Sequence, residues 1–127
     1  HEIKLLQKKI QSGADFALTQ PVFDPAAARQ FITLYQEQTG QKMLPLVVGI
    51  QPLFNSANAE FLHNEVPGIS IPDRLRQRMH DTTQPQVEGV SIAQEIIQEL
   101  GDLIQGVYLI PAFGRYDLAA NVLDVMK

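Results

Sequence analysis

The sequence predicts an α/β fold built on parallel strands. Three observations predict it. Short apolar runs alternate with segments whose apolar residues recur at helical spacing. The middle run, LPLVVGIQPL, is apolar almost throughout, as a strand is when helices cover both of its faces. Each run also ends in a proline or amide signal, TQP, GIQP or IPAFGR, and then gives way to a helix.

The elements follow in order. Residues 2–12, EIKLLQKKIQS, set Ile3, Leu6 and Ile10 on one helical face, with Lys4, Lys8 and Gln11 on others. Gly13 stops that helix. ADFALTQ reads as a short, largely buried strand. Asp24-Pro25 starts a helix, because the carboxylate caps free N–H groups and proline is tolerated at the first helical position. The helix continues through AAARQFITLYQEQT to Gly40. Residues 44–53 form the second strand, and Asn55-Ser56 caps a short helix, ANAEFLHNE. VPGISIP is a loop, Pro72 opens the helix DRLRQRMHD, and TTQPQVEG is a polar connection. VSIAQEIIQEL is amphipathic, with Ile92, Ile96 and Leu100 aligned. Residues 106–113, GVYLIPAF, form the third strand, and RYDLAANVLDVM is a closing helix.

Helix–strand alternation of this kind joins parallel strands by right-handed crossovers. Three strands do not close a (β/α)8 barrel, which takes about 250 residues. The 127 residues suffice for one ordinary domain with a core. With 45% hydrophobic and 19% charged residues the chain has a globular composition. A net charge of -4 and no basic patch argue against nucleic acid as a partner. No apolar run approaches the roughly 18 residues of a membrane span, so no membrane partner is expected. The absence of cysteine excludes disulfides and thiolate metal sites within the chain and leans the compartment toward the cytoplasm. The start HEIKLL, without an initiator Met, leads to the expectation of a fragment or processed piece.

In parallel α/β proteins chemistry gathers at the carboxyl ends of the strands. Gln20, Gln51 and Arg115 stand at those ends and would converge on one rim. Amides there suit a ligand that offers both donors and acceptors. The competing reading is that such glutamines only satisfy loop backbone groups. No Gly-rich phosphate loop is present. His1, His63 and His80 lack partners at ligand spacing, and His63 reads as structural or surface. Glu60 and Glu65 read as a solvated helix face, not as an acid/base pair, and Lys8-Lys9 as surface charge. No metal site and no catalytic residue is assigned.

The motifs KKIQSGADFALTQPVFD, GIQPLFNSANAEFLHNEVPGISIP and GVYLIPAFGRYDLAANVL together resemble the carboxyl-terminal part of methylenetetrahydrofolate reductase. They resemble most the bacterial proteins that fuse this reductase to a homocysteine S-methyltransferase. The resemblance covers almost the whole chain, in the correct order. It implies a (β/α)8 barrel (a TIM barrel) carrying FAD, with these three strands as the sixth, seventh and eighth. It also implies reduction of 5,10-methylenetetrahydrofolate to 5-methyltetrahydrofolate by NADH or NADPH, a step of one-carbon metabolism and methionine biosynthesis. Gln20 matches the glutamine that hydrogen-bonds the pterin and contacts the nicotinamide. Lys9 matches a basic position that contacts the flavin phosphates, Lys8 its neighbour, and Arg115 an arginine near the substrate.

The chain departs from the family at three places. The stacking aromatic after the seventh strand falls near Ser56, with Phe54 the nearest replacement. A tyrosine near the end of the eighth strand falls on Pro111. The catalytic glutamate and the flavin-tuning aspartate belong to strands outside this chain, so the isolated chain is expected to be inactive. Two alternatives stand beside this reading. One is a non-catalytic half-barrel that binds no flavin and assembles with itself or another chain, covering an exposed strand edge; on the reductase reading the partner is instead a second copy or the missing amino-terminal half. The other is a different barrel enzyme acting on a phosphorylated substrate.

Overall fold

The computed structural model describes residues 2–13, 15–43 and 45–126. The chain runs α1 (Glu2–Gln11), β1 (Ala17–Pro21), α2 (Pro25–Thr39), β2 (Leu46–Ile50), α3 (Ser56–Glu65), α4 (Asp73–Asp81), α5 (Pro85–Leu100), β3 (Gly106–Leu109) and α6 (Tyr116–Val122). 3-10 turns over Ala112–Gly114 and Leu123–Met126 flank α6. His1 and Leu44, both named in the sequence reading, lie outside the described residues.

Local chemistry sets most boundaries. Asp24 accepts the Ala27 N–H at 3.3 Å, and Pro25 fills the first position of α2. Gly40 ends α2 at φ 67°, its N–H bonded to the Gln36 carbonyl. Asn55 caps α3 by accepting the Asn58 N–H at 2.7 Å, and the Asn58 side chain accepts the Phe54 N–H at 3.0 Å. Residues 85–89, expected in a polar connection, form the first turn of α5 instead. Pro85 supplies the fixed φ of a helix start there. The strands are shorter than expected: β3 ends at Leu109, because Pro111 leads into the 3-10 turn. The closing helix breaks at Val122 into its own 3-10 turn.

The three strands lie in the order β1-β2-β3, all parallel. Leu46, Val48, Ile50, Val107 and Leu109 pack into a core with Ala59 and Leu62 of α3, Leu75 and Met79 of α4, and Ile92, Ile96 and Leu100 of α5. Leu18, Val47 and Tyr108, on the other face, stay outside that core. The expectation that helices cover both faces of β2 is therefore corrected: they cover one. The apolar run misled because Val47 is apolar yet only half-buried.

β1 is corrected as well. It is not largely buried: Leu18 is 65% and the preceding Phe16 57% exposed. An edge strand with one covered face alternates in burial, as β1 does. No described residue of α1 joins the main core. Close packing appears instead at Gly89 of α5, where a Cβ would overlap the Leu53 carbonyl. Among the described residues no helix is long and apolar enough to cross a membrane.

Candidate functional site

Among the described residues two separate cavities reach the carboxyl ends of the strands, the first running along the sheet as far as Leu46, at the start of β2, and Ile104, just before β3. The first, of about 440 Å³, opens beside the end of β1. Its walls include Thr19, Gln20 and Ser70 as polar groups, and Phe23, Phe31 and Val48 as apolar ones. The second, of about 540 Å³, lies beyond β2 and β3. Gln51, Asn55 and Asn58 line it together with Phe61 and Phe113. Gln20 and Gln51 therefore occupy neighbouring cavities, and Arg115 lines neither. The single rim expected for these three residues is divided in two.

Gln20 sits in a register shift. Leu18 pairs with Val47, but Pro21 pairs with Gly49, so Thr19 and Gln20 together oppose one residue of β2. That is a bulge, a device that re-aims a side chain. Thr19 Oγ1 accepts the Gly49 N–H at 3.1 Å and donates to the Gln20 carbonyl at 2.7 Å. The Thr19 carbonyl accepts the Tyr108 hydroxyl, which reaches across from β3. Gly68, in the loop after α3, adopts φ +85°, and a Cβ there would stand 2.5 Å from Gln20 Oε1.

Beyond β3 the aromatic groups collect. Phe113 is 72% exposed and holds φ 54°, the one positive φ among described non-glycine residues. That region disfavours L-residues and is often retained where a side chain must be presented. Its ring meets Phe54 edge to face at 4.9 Å. The Arg115 guanidinium stands 6.0 Å from the Phe54 ring centre. Arg115 also forks onto Asp117 at 3.0 and 2.9 Å and donates to Gln86 at 3.3 Å. Arg115 holds the Asp117 carboxyl below its ordinary range, and Asp117 in turn keeps the guanidinium more firmly protonated. Arg115 is thus already paired with Asp117, with its guanidinium beside the Phe54 ring.

The remaining candidates are placed as follows. Lys8 and Lys9 are exposed in the last turn of α1. Ser56 is the first residue of α3 and Pro111 precedes the 3-10 turn. His63 Nδ1 accepts the Ile71 N–H at 3.0 Å and so pins the loop carrying Gly68. His80 lies beside Asp81 at 3.2 Å. Glu60 takes Arg76 at 3.4 Å, and Glu65 is exposed. Phe113, Gly68 and Tyr108 were not singled out from sequence. The Gly in VPGIS was the one available signal, and it read only as a loop residue.

Parallel strands, crossovers packed on one side and amides at the carboxyl ends define a domain of partial (β/α)-barrel type. The sequence model of methylenetetrahydrofolate reductase matches residues 1–123, and the chain belongs to that family. Methylenetetrahydrofolate reductase 2 of Schizosaccharomyces pombe is 26% identical over 112 residues, which cover 83% of this chain and 17% of that protein. A solved structure, an uncharacterized protein from Clostridium thermocellum that binds two copies of 5-methyl-5,6,7,8-tetrahydrofolic acid, superposes with a TM-score of 0.71. It is 22% identical, over 98% of this chain and 46% of that one, and the likeness is one of fold. The chain spans less than half the length of either protein.

Proposed function

We propose that this chain is the carboxyl-terminal part of a reductase barrel, supplying its sixth, seventh and eighth strands. The parent protein reduces 5,10-methylenetetrahydrofolate to 5-methyltetrahydrofolate in the cytoplasm, with FAD as cofactor and NADH or NADPH as donor. A fused homocysteine S-methyltransferase belongs to the same reading and rests on the motif resemblance alone. The observation that carries the proposal is the pair of amides, Gln20 and Gln51, at the ends of adjacent parallel strands. An amide supplies both donor and acceptor, as a pterin edge requires, and an apolar cavity with few polar groups suits a flat ring. The folate-binding neighbour of similar fold supports the same ligand class.

Lys8 and Lys9 fit the phosphate end of FAD. Both ammonium groups are exposed, and neither pairs with a carboxylate among the described residues. FAD, if bound, would supply the hydride-transfer chemistry, with Lys8 and Lys9 holding its phosphates. This chain's residues bind and orient: Gln20 the pterin, and Phe54 with Arg115 the substrate beyond β3. No side chain here is assigned a proton transfer, so the isolated chain does not turn over. A self-pairing half-barrel is the second reading, favoured by the open sheet face at Leu18.

Calorimetric titration with 5-methyltetrahydrofolate tests the site. Binding by the 127-residue chain, weakened at least about tenfold in Gln20→Ala, is expected for the loss of one ligand hydrogen bond. Equal affinity of the two proteins, or no heat at millimolar ligand, overturns the site. NADH oxidation by the chain with added FAD and a quinone overturns its inactivity.

A further inference from the structure

The bulge in β1 is held from three directions at once. From β2, the Gly49 N–H turns to the Thr19 side chain at 3.1 Å. That leaves the Thr19 carbonyl to another donor, and the Tyr108 hydroxyl supplies it from β3, two strands away. The tyrosine crosses over Gly49, where a Cβ would stand 2.8 Å from its hydroxyl oxygen and 3.2 Å from the Gln20 carbonyl carbon. From the loop after α3, Gly68 brings bare backbone against the Gln20 amide. None of Thr19, Gly49, Gly68 or Tyr108 belongs to the main apolar core. Their contacts converge on Thr19 and Gln20.

We propose that Thr19, Gly49, Tyr108 and Gly68 are positioning residues that fix the orientation of the Gln20 amide at the ligand rim. The reasoning is geometric. The bulge interrupts the β1–β2 ladder between Leu18 and Pro21, so ladder hydrogen bonds alone determine it weakly. Losing the extra residue would slip the pairing by one and move Gln20 to the place opposite Gly49 that Pro21 now holds. The Thr19 and Tyr108 hydroxyls replace the ladder bonds that the bulge removes. Gly68 then limits the amide itself: its left-handed backbone and missing side chain let the loop close on Oε1. With the Gln20 amide against Gly68, its swing is limited from the loop side. The functional meaning of the clamp rests on Gln20 touching the ligand, as proposed above. The clamp itself does not.

The test reads the Gln20 side-chain NH2 group by NMR in the 127-residue chain, with its signals identified by their loss in Gln20→Ala. The wild type is expected to show nuclear Overhauser contacts from that group to the Gly68 α-protons. Tyr108→Phe and Thr19→Val are expected to reduce those contacts by at least about half and to shift both amide protons. Thr19→Ser, which keeps the hydroxyl, restores them. Methyl signals of Ile92 and Leu100 stay in place throughout, which separates lost aim from lost fold. Tyr108→Phe removes one oxygen, so it serves even where Thr19→Val fails to fold. Gln20 signals in Tyr108→Phe and Thr19→Val that superimpose on the wild type overturn the proposal, as does a wild type without Gly68 contacts. The readout needs no folate. Its failure leaves the reductase reading standing, whereas a Gln20→Ala chain that binds 5-methyltetrahydrofolate normally defeats that reading and leaves the clamp.

Discussion

Gly89 stands inside α5, where alanine is ordinarily the better helix former by about 1 kcal/mol. Here the ordinary rule reverses, because a Cβ would overlap the Leu53 carbonyl and the obstacle is backbone. Gly89→Ala is expected to lower stability by about 2 kcal/mol or more. Gly101→Ala is its control: the backbone is right-handed helical and the nearest atom to a Cβ is 3.4 Å away. That change should leave stability unchanged or raise it by up to ~1 kcal/mol. Urea titration of both variants decides the matter, and a Gly89→Ala chain as stable as wild type would refute the close approach. The same distinction governs what a sequence reveals at this scale. Gln20 and Gln51 stood out because an amide at the tip of an apolar run is locally odd. Gly68, Gly89 and Tyr108 acquire meaning only from a segment that arrives from elsewhere in the chain. Phe113 is special through its backbone angle, which its residue type does not encode.

Between α4 and α5, Arg78 grips two carboxylates. It donates to Glu95 at 2.9 Å through both terminal nitrogens and to Glu88 at 3.1 and 2.5 Å. The hydrogen bond from Arg78 holds the Glu95 carboxyl below its ordinary 4.5. A carboxyl lowered in the folded state stabilises fully above its unfolded value. That contribution disappears as pH falls through the lowered folded value. Glu95→Gln is therefore expected to be less stable than wild type at pH 7 by roughly 0.5–1 kcal/mol, discounted for solvent screening. The gap should close well below pH 4.5. Denaturant titrations at pH 7 and pH 3 check this, and a gap that persists in acid would mean the ion pair is not its source. The elements themselves were largely legible. Caps and stops such as Asp24-Pro25, Gly40 and Asn55 are local chemistry, and α2 and α3 obey them. The start of α5 was missed because polar residues masked a proline that begins a helix. The exposed face of β1 was missed because apolar composition does not say how many faces are covered.

Among the described residues the molecule is a sheet with one face clothed by helices and both outer strands unpaired on one side. Leu18 and Phe16 are exposed at one of those strands. Open edges with apolar side chains favour pairing with another chain. Sedimentation velocity of the 127-residue chain is expected to show a weight-average mass that rises with concentration. Leu18→Lys should hold the species at monomer while preserving the helical circular dichroism. A wild-type chain that stays monomeric at high concentration would count against self-pairing. The order of strands was readable from alternation, but the openness was not, since apolar composition does not say how many faces or edges of a strand are covered. The connection between β2 and β3 has a further consequence, in time. It threads three helices, α3, α4 and α5, before β3 can reach its place beside β2. Closing a long loop costs entropy before its contacts reward it. β1 and β2, joined by α2 alone, are expected to pair before β3 docks. The Tyr108 hydroxyl then arrives at Thr19 only in that final step, so the rim at Gln20 is among the last parts of the fold to take shape.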